Sequence, residues 1–322
     1  MNRRRSASLI AALALCTASI VFSQPYPNRP LRVIVNFPAG GNVDNLARLQ
    51  IRQMEALLGQ VMVVDNRPGA NGIIGAEITQ KAAANGYTLL FTPSSIVVNQ
   101  VVYPKIPYDV RRDFAPISNA ANATGYLLVV NPSVNAQSIR DFVALAKNRD
   151  KPVTYGTPGI VSVFLGEMLN INAGTRMLNV PYKGVPQVMT AVLGGEINAV
   201  FMQPLAVAQH IKEGKLRALA FTGAKRWEGM PELPTFAESI LPGVQMPTSW
   251  QGWFAPAGTP PEIIGRLNRE IRKALEAPKV REIMAAGGFE PVGDSPADFR
   301  KTIDAELRLF TEISAKAKIK ME

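Results

Sequence analysis

A short glycine turn at residues 37–44 has residue types that suit the binding of an anion. Its sequence, FPAGGNVD, follows an apolar run and precedes a helix-like stretch. The first N–H groups of a helix have no partners within the helix, and the helix dipole adds partial positive charge at this end. Phosphates and carboxylates are therefore the expected ligands. Gly40 and Gly41 allow close approach of the backbone, and Asn42 can cap the helix or bind the ligand. An ordinary strand-to-helix loop is the alternative, because lone glycine motifs have many false positives.

Enzyme motifs are not found in the sequence. There is no G-x-S-x-G elbow, no H-E-x-x-H, no P-loop and no G-x-G-x-x-G after a strand. The one histidine, His210, falls on the solvated face of a predicted helix and has no partners for metal binding or a catalytic triad. A hydrolase built from carboxylates is the enzymatic alternative.

The N-terminal residues predict export. Three arginines at residues 3–5 precede an uncharged apolar segment at residues 7–22. Val21 and Ser23 occupy the −3 and −1 positions of a cleavage site, so the pattern indicates a signal peptide rather than a membrane span. Lipoprotein processing at Cys16 is the alternative, but leucine precedes this cysteine where a small residue is expected. We therefore expect a periplasmic protein cleaved near Ser23.

Composition predicts a soluble globular product. Cleavage removes the only cysteine, so the mature chain must be held together by its hydrophobic core instead of disulfides. The chain of 322 residues is long enough for two α/β domains after this loss. Its net charge is +10, but the lysines and arginines are scattered and accompany no nucleic-acid-binding motif. The charge therefore predicts a solvated basic surface and no nucleic-acid partner.

Strand and helix signals alternate along the chain, which predicts an α/β architecture with parallel or mixed sheets. A first block contains strands at 31–37, 61–64 and 87–92 with helices at 43–58 and 73–84 between them. A Pro-rich connection at 103–116 follows, and a second alternating series runs from 126 to 222. An aromatic strand at 250–256 and helices from Pro261 and Pro296 complete the chain.

The C-terminal helices have apolar stripes that must cover a sheet, and the first block is short of helices on one face. If the C-terminal helices pack on the first block, the chain forms two lobes joined by a hinge with two chain crossings. This is the type II-like architecture of a periplasmic binding protein. The predicted divisions are a signal peptide at 1–23, lobe 1 at 24–126 and 247–322, and lobe 2 at 127–246.

Seven stretches in register resemble the substrate-binding proteins of tripartite tricarboxylate transporters, the Bug family. They span nearly the whole mature chain: FPAGGNVDNLAR (37–48), VVDNRPGANGIIGAE (63–77), NGYTLLFTPSS (85–95), PYDVRRDFAPIS (107–118), VPYKGVPQVMTAVLGGEI (180–197), GKLRALAFTGAKR (214–226) and FAPAGTP (254–260).

The resemblance implies a two-lobed periplasmic receptor that closes on a small carboxylate and delivers it to membrane transporter subunits. A di- or tricarboxylate or an aromatic carboxylate would fit, and a monomer with no catalysis, metal or cofactor is expected. A ligand-sensing input for a membrane sensor kinase is the functional alternative. In this family the carboxylate is held by one loop from each lobe, and these loops map to residues 37–44 and 155–165.

The resemblance also marks departures from the family pattern. Val161 replaces a glycine, Phe164 replaces a histidine, and Asn198 and Met202 stand where many relatives have aspartates. We therefore expect an intact carboxylate site beside a more apolar pocket. The predicted ligand-binding residues are Phe37, Ala39, Gly40, Gly41, Asn42, Asp44, Ser94, Ser95, Thr157, Pro158, Gly159, Ser162, Phe164, Met202 and Gln203.

Several of these residues also have a purely structural interpretation. Asp44 can be a first-turn acid paired with Arg48, four residues later in the helix. Ser94 and Ser95 can belong to a turn, and Phe164 can belong to the core. The sequence leaves these alternatives open.

We predict that the mature protein begins at Gln24. Intact-mass measurement or N-terminal sequencing of protein recovered from the periplasm should show this start, because the cleavage pattern ends at Ser23. A lipidated chain that begins at Cys16 would contradict the prediction.

Overall fold

The structure is a computed structural model that describes residues 26–244 and 246–317. The predicted signal peptide, its cleavage site and Cys16 lie outside these residues. Within the described part, the strands form two mixed sheets, each packed with helices. The predicted two-lobed α/β class is confirmed.

The first sheet has the strand order β11-β4-β10-β3-β1-β2 within the described residues. Strands β1 to β3 are parallel, whereas β10 runs antiparallel to both β3 and β4, and β11 runs antiparallel to β4. The strands are β1 (Leu31–Val35), β2 (Met62–Asn66), β3 (Thr88–Pro93), β4 (Phe114–Ala123), β10 (Trp250–Pro256) and β11 (Phe289–Pro291).

Six helices accompany this sheet: α1 (Asn42–Leu58), α2 (Ile73–Gln80), α3 (Ser95–Val102), α9 (Pro261–Glu276), α10 (Pro278–Ala286) and α11 (Pro296–Ala317) in the described chain. Helix α1 ends at Gly59, whose positive φ of 67° suits glycine and whose N–H donates to the Glu55 carbonyl. The apolar stripe of α9 is buried, as its periodicity predicts.

The second sheet has the strand order β7-β6-β8-β5-β9 within the described residues. Strand β6 is parallel to β7 and β8, and β5 is antiparallel to β8 and β9. The strands are β5 (Leu127–Val130), β6 (Thr154–Thr157), β7 (Leu178–Pro181), β8 (Ala199–Met202) and β9 (Arg217–Phe221). The helices are α4 (Ile139–Ala146), α5 (Ile160–Ala173), α6 (Val185–Leu193), α7 (Pro204–Lys212) and α8 (Phe236–Ser239).

The largest buried side chain of the first sheet, Trp253, has a partner for its polar group. Trp253 of β10 is fully buried, its ring centroid lies 4.8 Å from that of Phe91, and its indole N–H donates to Gln50 Oε1 at 2.8 Å. Burying this large ring therefore leaves no unpaired indole donor, which keeps the cost of burial low.

The chain passes from β4 to β5 at residues 124–126 and returns from the segment after β9 to β10 at residues 222–249. We retain the predicted lobe boundaries as a proposal. Helix α11 packs on α3 and β4, but near its end the Phe310 ring lies 5.3 Å, centroid to centroid, from that of Phe164 in α5. The C-terminal helix thus contacts both lobes.

The predicted Pro-rich connection at 103–116 ends inside a strand that the sequence did not reveal. Strand β4 lies between β10 and β11 although its sequence, FAPISNAANA, has few β-branched or aromatic residues. Pro116 is opposite Phe254, next to a register shift in the β4–β10 pair, where a missing N–H is tolerated. Helices α3 and α10 were also missed.

We predict that Phe310→Ala lowers the free energy of unfolding by about 3 kcal/mol, because it removes a buried ring between α11 and lobe 2. Leu309→Ala is the matched control: Leu309 is 50% exposed whereas Phe310 is 1% exposed, so the control should stay within about 0.5 kcal/mol of the wild type. Urea unfolding of both variants measures the difference. Equal effects would show that Phe310 does not join the helix to lobe 2.

Candidate functional site

A cleft that is open to solvent lies between the two sheets and is lined by residues from both lobes. The structure brings nine of the predicted residues together there: Phe37, Gly41, Asn42, Ser95, Pro158, Gly159, Ser162, Met202 and Gln203. Ten further lining residues were not in the predicted set: Pro38, Val43, Pro93, Tyr126, Ile160, Val161, Val185, Phe201, Ser249 and Gln251.

Five helices begin at this cleft: α1, α3, α5, α6 and α7. None of their N-cap residues accepts a helix N–H through its side chain; these are Gly41, Ser94, Gly159, Gly184 and Gln203. Among the other described helices, α4 and α8 have complete capping boxes, whereas α2, α9 and α10 also have no side-chain cap. The dipole ends of the five helices at the cleft and the backbone donors of α1, α3, α5 and α6 therefore favour an anion in the cleft. Helix α7 contributes only its dipole, because it begins with Pro204 and its next two N–H groups donate to carbonyls.

The first predicted loop presents Gly41 rather than Gly40 to the cleft. Gly40 is exposed and has a φ of 76°, so it makes the turn, as does its exposed neighbour Ala39. Gly41 has a φ of −79°, which any residue can adopt, and it lines the cleft at the start of α1. The predicted binding roles of Ala39 and Gly40 are therefore not supported by their positions.

Asp44 is buried behind the first loop and does not line the cleft. Its carboxylate accepts hydrogen bonds from the Gly40 N–H, Arg48 Nε and Asn66 Nδ2, each at 2.9 Å. Burial alone would raise the pKa of Asp44, but these hydrogen bonds together lower it below its usual value. Asp44 is thus an ionised residue that holds the loop in shape, and the structure places it outside the lining of the cleft.

The second loop begins α5 and contributes Pro158, Gly159 and Ser162 to the cleft. The Ser162 hydroxyl donates to the Phe201 carbonyl at 3.3 Å. Thr157 does not line the cleft, because its hydroxyl is turned to Asn179 Oδ1 at 2.7 Å. The Thr157 hydroxyl supports the β6–β7 edge instead of a ligand.

Two more predicted residues lie away from the cleft. Phe164 is fully buried against Phe310, in agreement with the core interpretation. Ser94 is also fully buried, and its hydroxyl donates to Ser249 Oγ at 3.2 Å. In both cases the helix turns the side chain towards the protein interior.

A polar link crosses the cleft. Asn42 Nδ2, at the start of α1 in the first lobe, donates to Gln203 Oε1, at the start of α7 in the second. Gln203 Nε2 in turn donates to the Tyr126 hydroxyl at 3.2 Å, in the segment between the sheets. Burial raises the pKa of Tyr126, so it stays a neutral phenol. The link joins both lobes and one chain crossing.

The remaining walls are mostly apolar. Phe37, Val161, Val185, Phe201 and Met202 all line the cleft. None of the lining residues is an aspartate, glutamate, lysine, arginine or histidine. The cleft can therefore favour a negative group only through neutral donors and helix dipoles.

The floor of the cleft contains Ser95, Ser249 and Gln251 from the first lobe. Sequence analysis missed Gln251, although a glutamine within the otherwise apolar stretch WQGWFAP was a usable signal. Val161 and Met202 were expected to make this pocket more apolar, and the structure places both in its wall.

Within residues 26–244 and 246–317, no group of three or more histidine, cysteine, aspartate or glutamate residues could hold a metal. His210 is half-buried rather than on a solvated face, and its Nδ1 has no hydrogen-bond partner in the described chain. The described helices include none that is long and apolar enough to cross a membrane.

Residues 46–318 match the family described as "Tripartite tricarboxylate transporter family receptor". The chain is 37% identical over 320 residues to protein BugT of Bordetella pertussis, with 97% of each chain covered. A solved Rhodopseudomonas palustris structure with adipate is 32% identical, with a TM-score of 0.88 and coverage of 92% of this chain and 99% of that one. The Rhodopseudomonas palustris protein MatC, solved with malate, is 26% identical, with a TM-score of 0.83 and coverage of 89% and 99%.

These likenesses extend over both lobes and the cleft, and BugT is matched over almost its whole length. The chain therefore belongs to the Bug family of tripartite tricarboxylate transporter receptors and has their two-lobed periplasmic-binding-protein fold.

Proposed function

We propose that this protein is a periplasmic receptor that captures a small carboxylic acid with a largely apolar or aromatic body and delivers it to membrane transporter subunits. One observation carries the proposal: five uncapped helix N-termini, from both lobes, converge on a cleft with no charged lining residue. Export through a cleaved signal peptide and a monomeric state are parts of the same proposal.

The helix starts explain why the ligand is an anion. Gly41 and Gly159, the N-caps of α1 and α5, come from opposite lobes, so converging backbone donors can surround one carboxylate group. Such donors act without a lysine or arginine clamp. The adipate and malate bound to the two Rhodopseudomonas palustris proteins support this ligand class.

The walls explain why the body of the ligand is apolar. Val161, Val185, Phe201 and Met202 offer no hydrogen bonds from their side chains, so polar substituents beside them would lose hydration without gaining partners. A buried ammonium group needs an acceptor or a countercharge. Asp44, the nearest sequence candidate, is already occupied by three hydrogen bonds behind the loop.

We further propose that the ligand is carried and not transformed. Tyr126 is the one lining residue with an ionisable side chain in the described cleft, and its raised pKa keeps the phenol protonated. Among residues 26–244 and 246–317, no histidine, lysine or carboxylate is hydrogen-bonded to Ser95, Ser162 or Ser249 in a way that would activate the hydroxyl as a nucleophile.

A thermal-shift screen of carboxylic acids on refolded, ligand-free protein tests the proposal. An acid at 100 times its dissociation constant should stabilise the fold by about 2.7 kcal/mol. Amines and neutral sugars of similar size are the controls. Stabilisation by these compounds and by no acid would reject the proposal.

We predict that Gly41→Val abolishes binding of the acid found in this screen while the protein still folds. The φ of −79° is one that valine can adopt, so the substitution adds no backbone strain. A Cβ there would lie 3.3 Å from the Pro38 carbonyl oxygen and 3.7 Å from Val185 Cβ, so the added methyl groups would fill the space beside the helix start.

Calorimetric titration measures the binding of this variant, and circular dichroism checks its fold. Gly265→Val is the matched control, because Gly265 lies in α9 away from the cleft and a Cβ there meets nothing closer than 3.9 Å. Wild-type affinity in Gly41→Val would remove the first loop from the site.

We predict that hexanoate binds at least about tenfold more tightly than 2-aminohexanoate, a difference on the order of 1.4 kcal/mol. The reason is that the ammonium group finds no free acceptor of opposite charge in the cleft. Competition between the two compounds on stripped protein measures the ratio. A preference for the amino acid would contradict the prediction and would return Asp44 to the list of ligand contacts.

A further inference from the structure

Two buried polar side chains on the floor of the cleft have no hydrogen-bond partner among the described residues. Ser95 is 3% exposed and its Oγ is unpaired, and Gln251 is 2% exposed and its Oε1 is unpaired. Both residues line the cleft. Buried polar atoms are normally hydrogen-bonded, and an unmade bond costs stability, so such a pair calls for a partner that enters from the cleft.

These two side chains belong to neighbouring parts of the first lobe. Ser95 is the first residue of α3, directly after β3, and Gln251 in β10 pairs with Pro93 at the end of β3. Strand β3 also pairs with β1 on its other side. Two strand spacings therefore separate Gln251 from the line of β1, which leads into the first anion loop, a distance of roughly 10 Å across the sheet.

This spacing separates two chemically different ends of the cleft. At the first end, α1 and α5 offer backbone donors for a carboxylate. At the floor, the Gln251 amide offers an acceptor and two donors, and the Ser95 hydroxyl can both donate and accept. A ligand group that both donates and accepts would satisfy this pair.

Hydrogen-bonding capacity decides between the groups that can reach the floor. A second carboxylate would accept from Ser95, but it has no hydrogen to donate to Gln251 Oε1, so that buried acceptor would stay unpaired. An ammonium group could donate to Gln251 but would be buried without an anion. A hydroxyl group donates to one side chain and accepts from the other, and it adds no charge.

We propose that Ser95 and Gln251 form a subsite for a neutral hydroxyl group at the far end of the ligand, so that the preferred ligand class is a hydroxy acid with an apolar or aromatic body. This inference rests on the proposed carboxylate-binding function. It adds the chemistry of the second end of the ligand and two residues that determine specificity.

Calorimetric titration of matched acids tests the subsite. The pairs are 6-hydroxyhexanoate with hexanoate, and 3- and 4-hydroxybenzoate with benzoate. In the wild type, the hydroxy acid of at least one pair should bind about tenfold more tightly than its plain counterpart, which is the typical effect of one hydrogen bond.

In Gln251→Met and Ser95→Ala, the ratio of the affinity for the hydroxy acid to that for the unsubstituted acid should fall towards one. The hydroxy acid should bind more weakly, and the affinity for the unsubstituted acid should change little. Gln80→Met is the matched control, because Gln80 also has a buried Oε1 without a partner, but it lies in α2 outside the cleft. This control should keep the wild-type ratio.

Stability provides a second readout. The ligand-free Gln251→Met variant should melt no lower than the wild type, because it replaces an unpaired polar group with an apolar one of similar size. A marked loss of stability in both variants would show that the side chains are structural and would overturn the subsite.

Equal affinities within every pair in the wild type, or an unchanged ratio in both variants, would also overturn the subsite while leaving the carboxylate receptor intact. Failure of every acid to bind would reject the proposed function itself, and the subsite with it.

Discussion

The unpaired N–H groups at the starts of helices are the interaction on which the cleft depends. Helices α1, α3, α5, α6 and α7 all begin there without a side-chain cap. The starts of α1, α3, α5 and α6 leave backbone donors that need an acceptor. At α7, Pro204 has no N–H, and the Leu205 and Ala206 N–H groups donate to the Gly287 and Gln203 carbonyls. Because the helices come from both sheets, an anion in the cleft can satisfy donors of both lobes at once.

The polar link from Asn42 through Gln203 to Tyr126 connects the two lobes by hydrogen bonds. It joins the start of α1, the start of α7 and the first chain crossing. Helix α11 adds an apolar contact between lobes through Phe310 and Phe164, far along the chain from the link. The hydrogen-bonded link and the apolar contact of α11 thus connect the lobes at two separate places.

Carboxyl side chains near the cleft stabilise the surrounding structure and do not line the cleft themselves. Asp44 is ionised and fully engaged with Gly40, Arg48 and Asn66, which fixes the loop before α1. Near the hinge, burial raises the pKa of Glu306 to about 8, opposed by a hydrogen bond from the Trp250 indole, so this carboxyl is largely neutral at pH 7. The cleft is left with neutral donors and apolar walls, an environment that favours a carboxylate over an ammonium group.

The sequence by itself determined the α/β class, most strands and helices, and the glycine turn before α1, because apolar periodicity and glycine turns are local signals. The binding loop that begins α5 was assigned only through the resemblance to the Bug family. The sequence did not reveal β4, whose alanines and asparagines become a strand only through pairing with β10 and β11. Only the tertiary structure decided which side chains face the cleft. It turned Thr157 and Phe164 inward, and it brought Gln251 to Ser95 from more than 150 residues away. The physical reason is that side-chain orientation and burial depend on neighbouring strands and helices that are distant in the chain, and no local pattern records them.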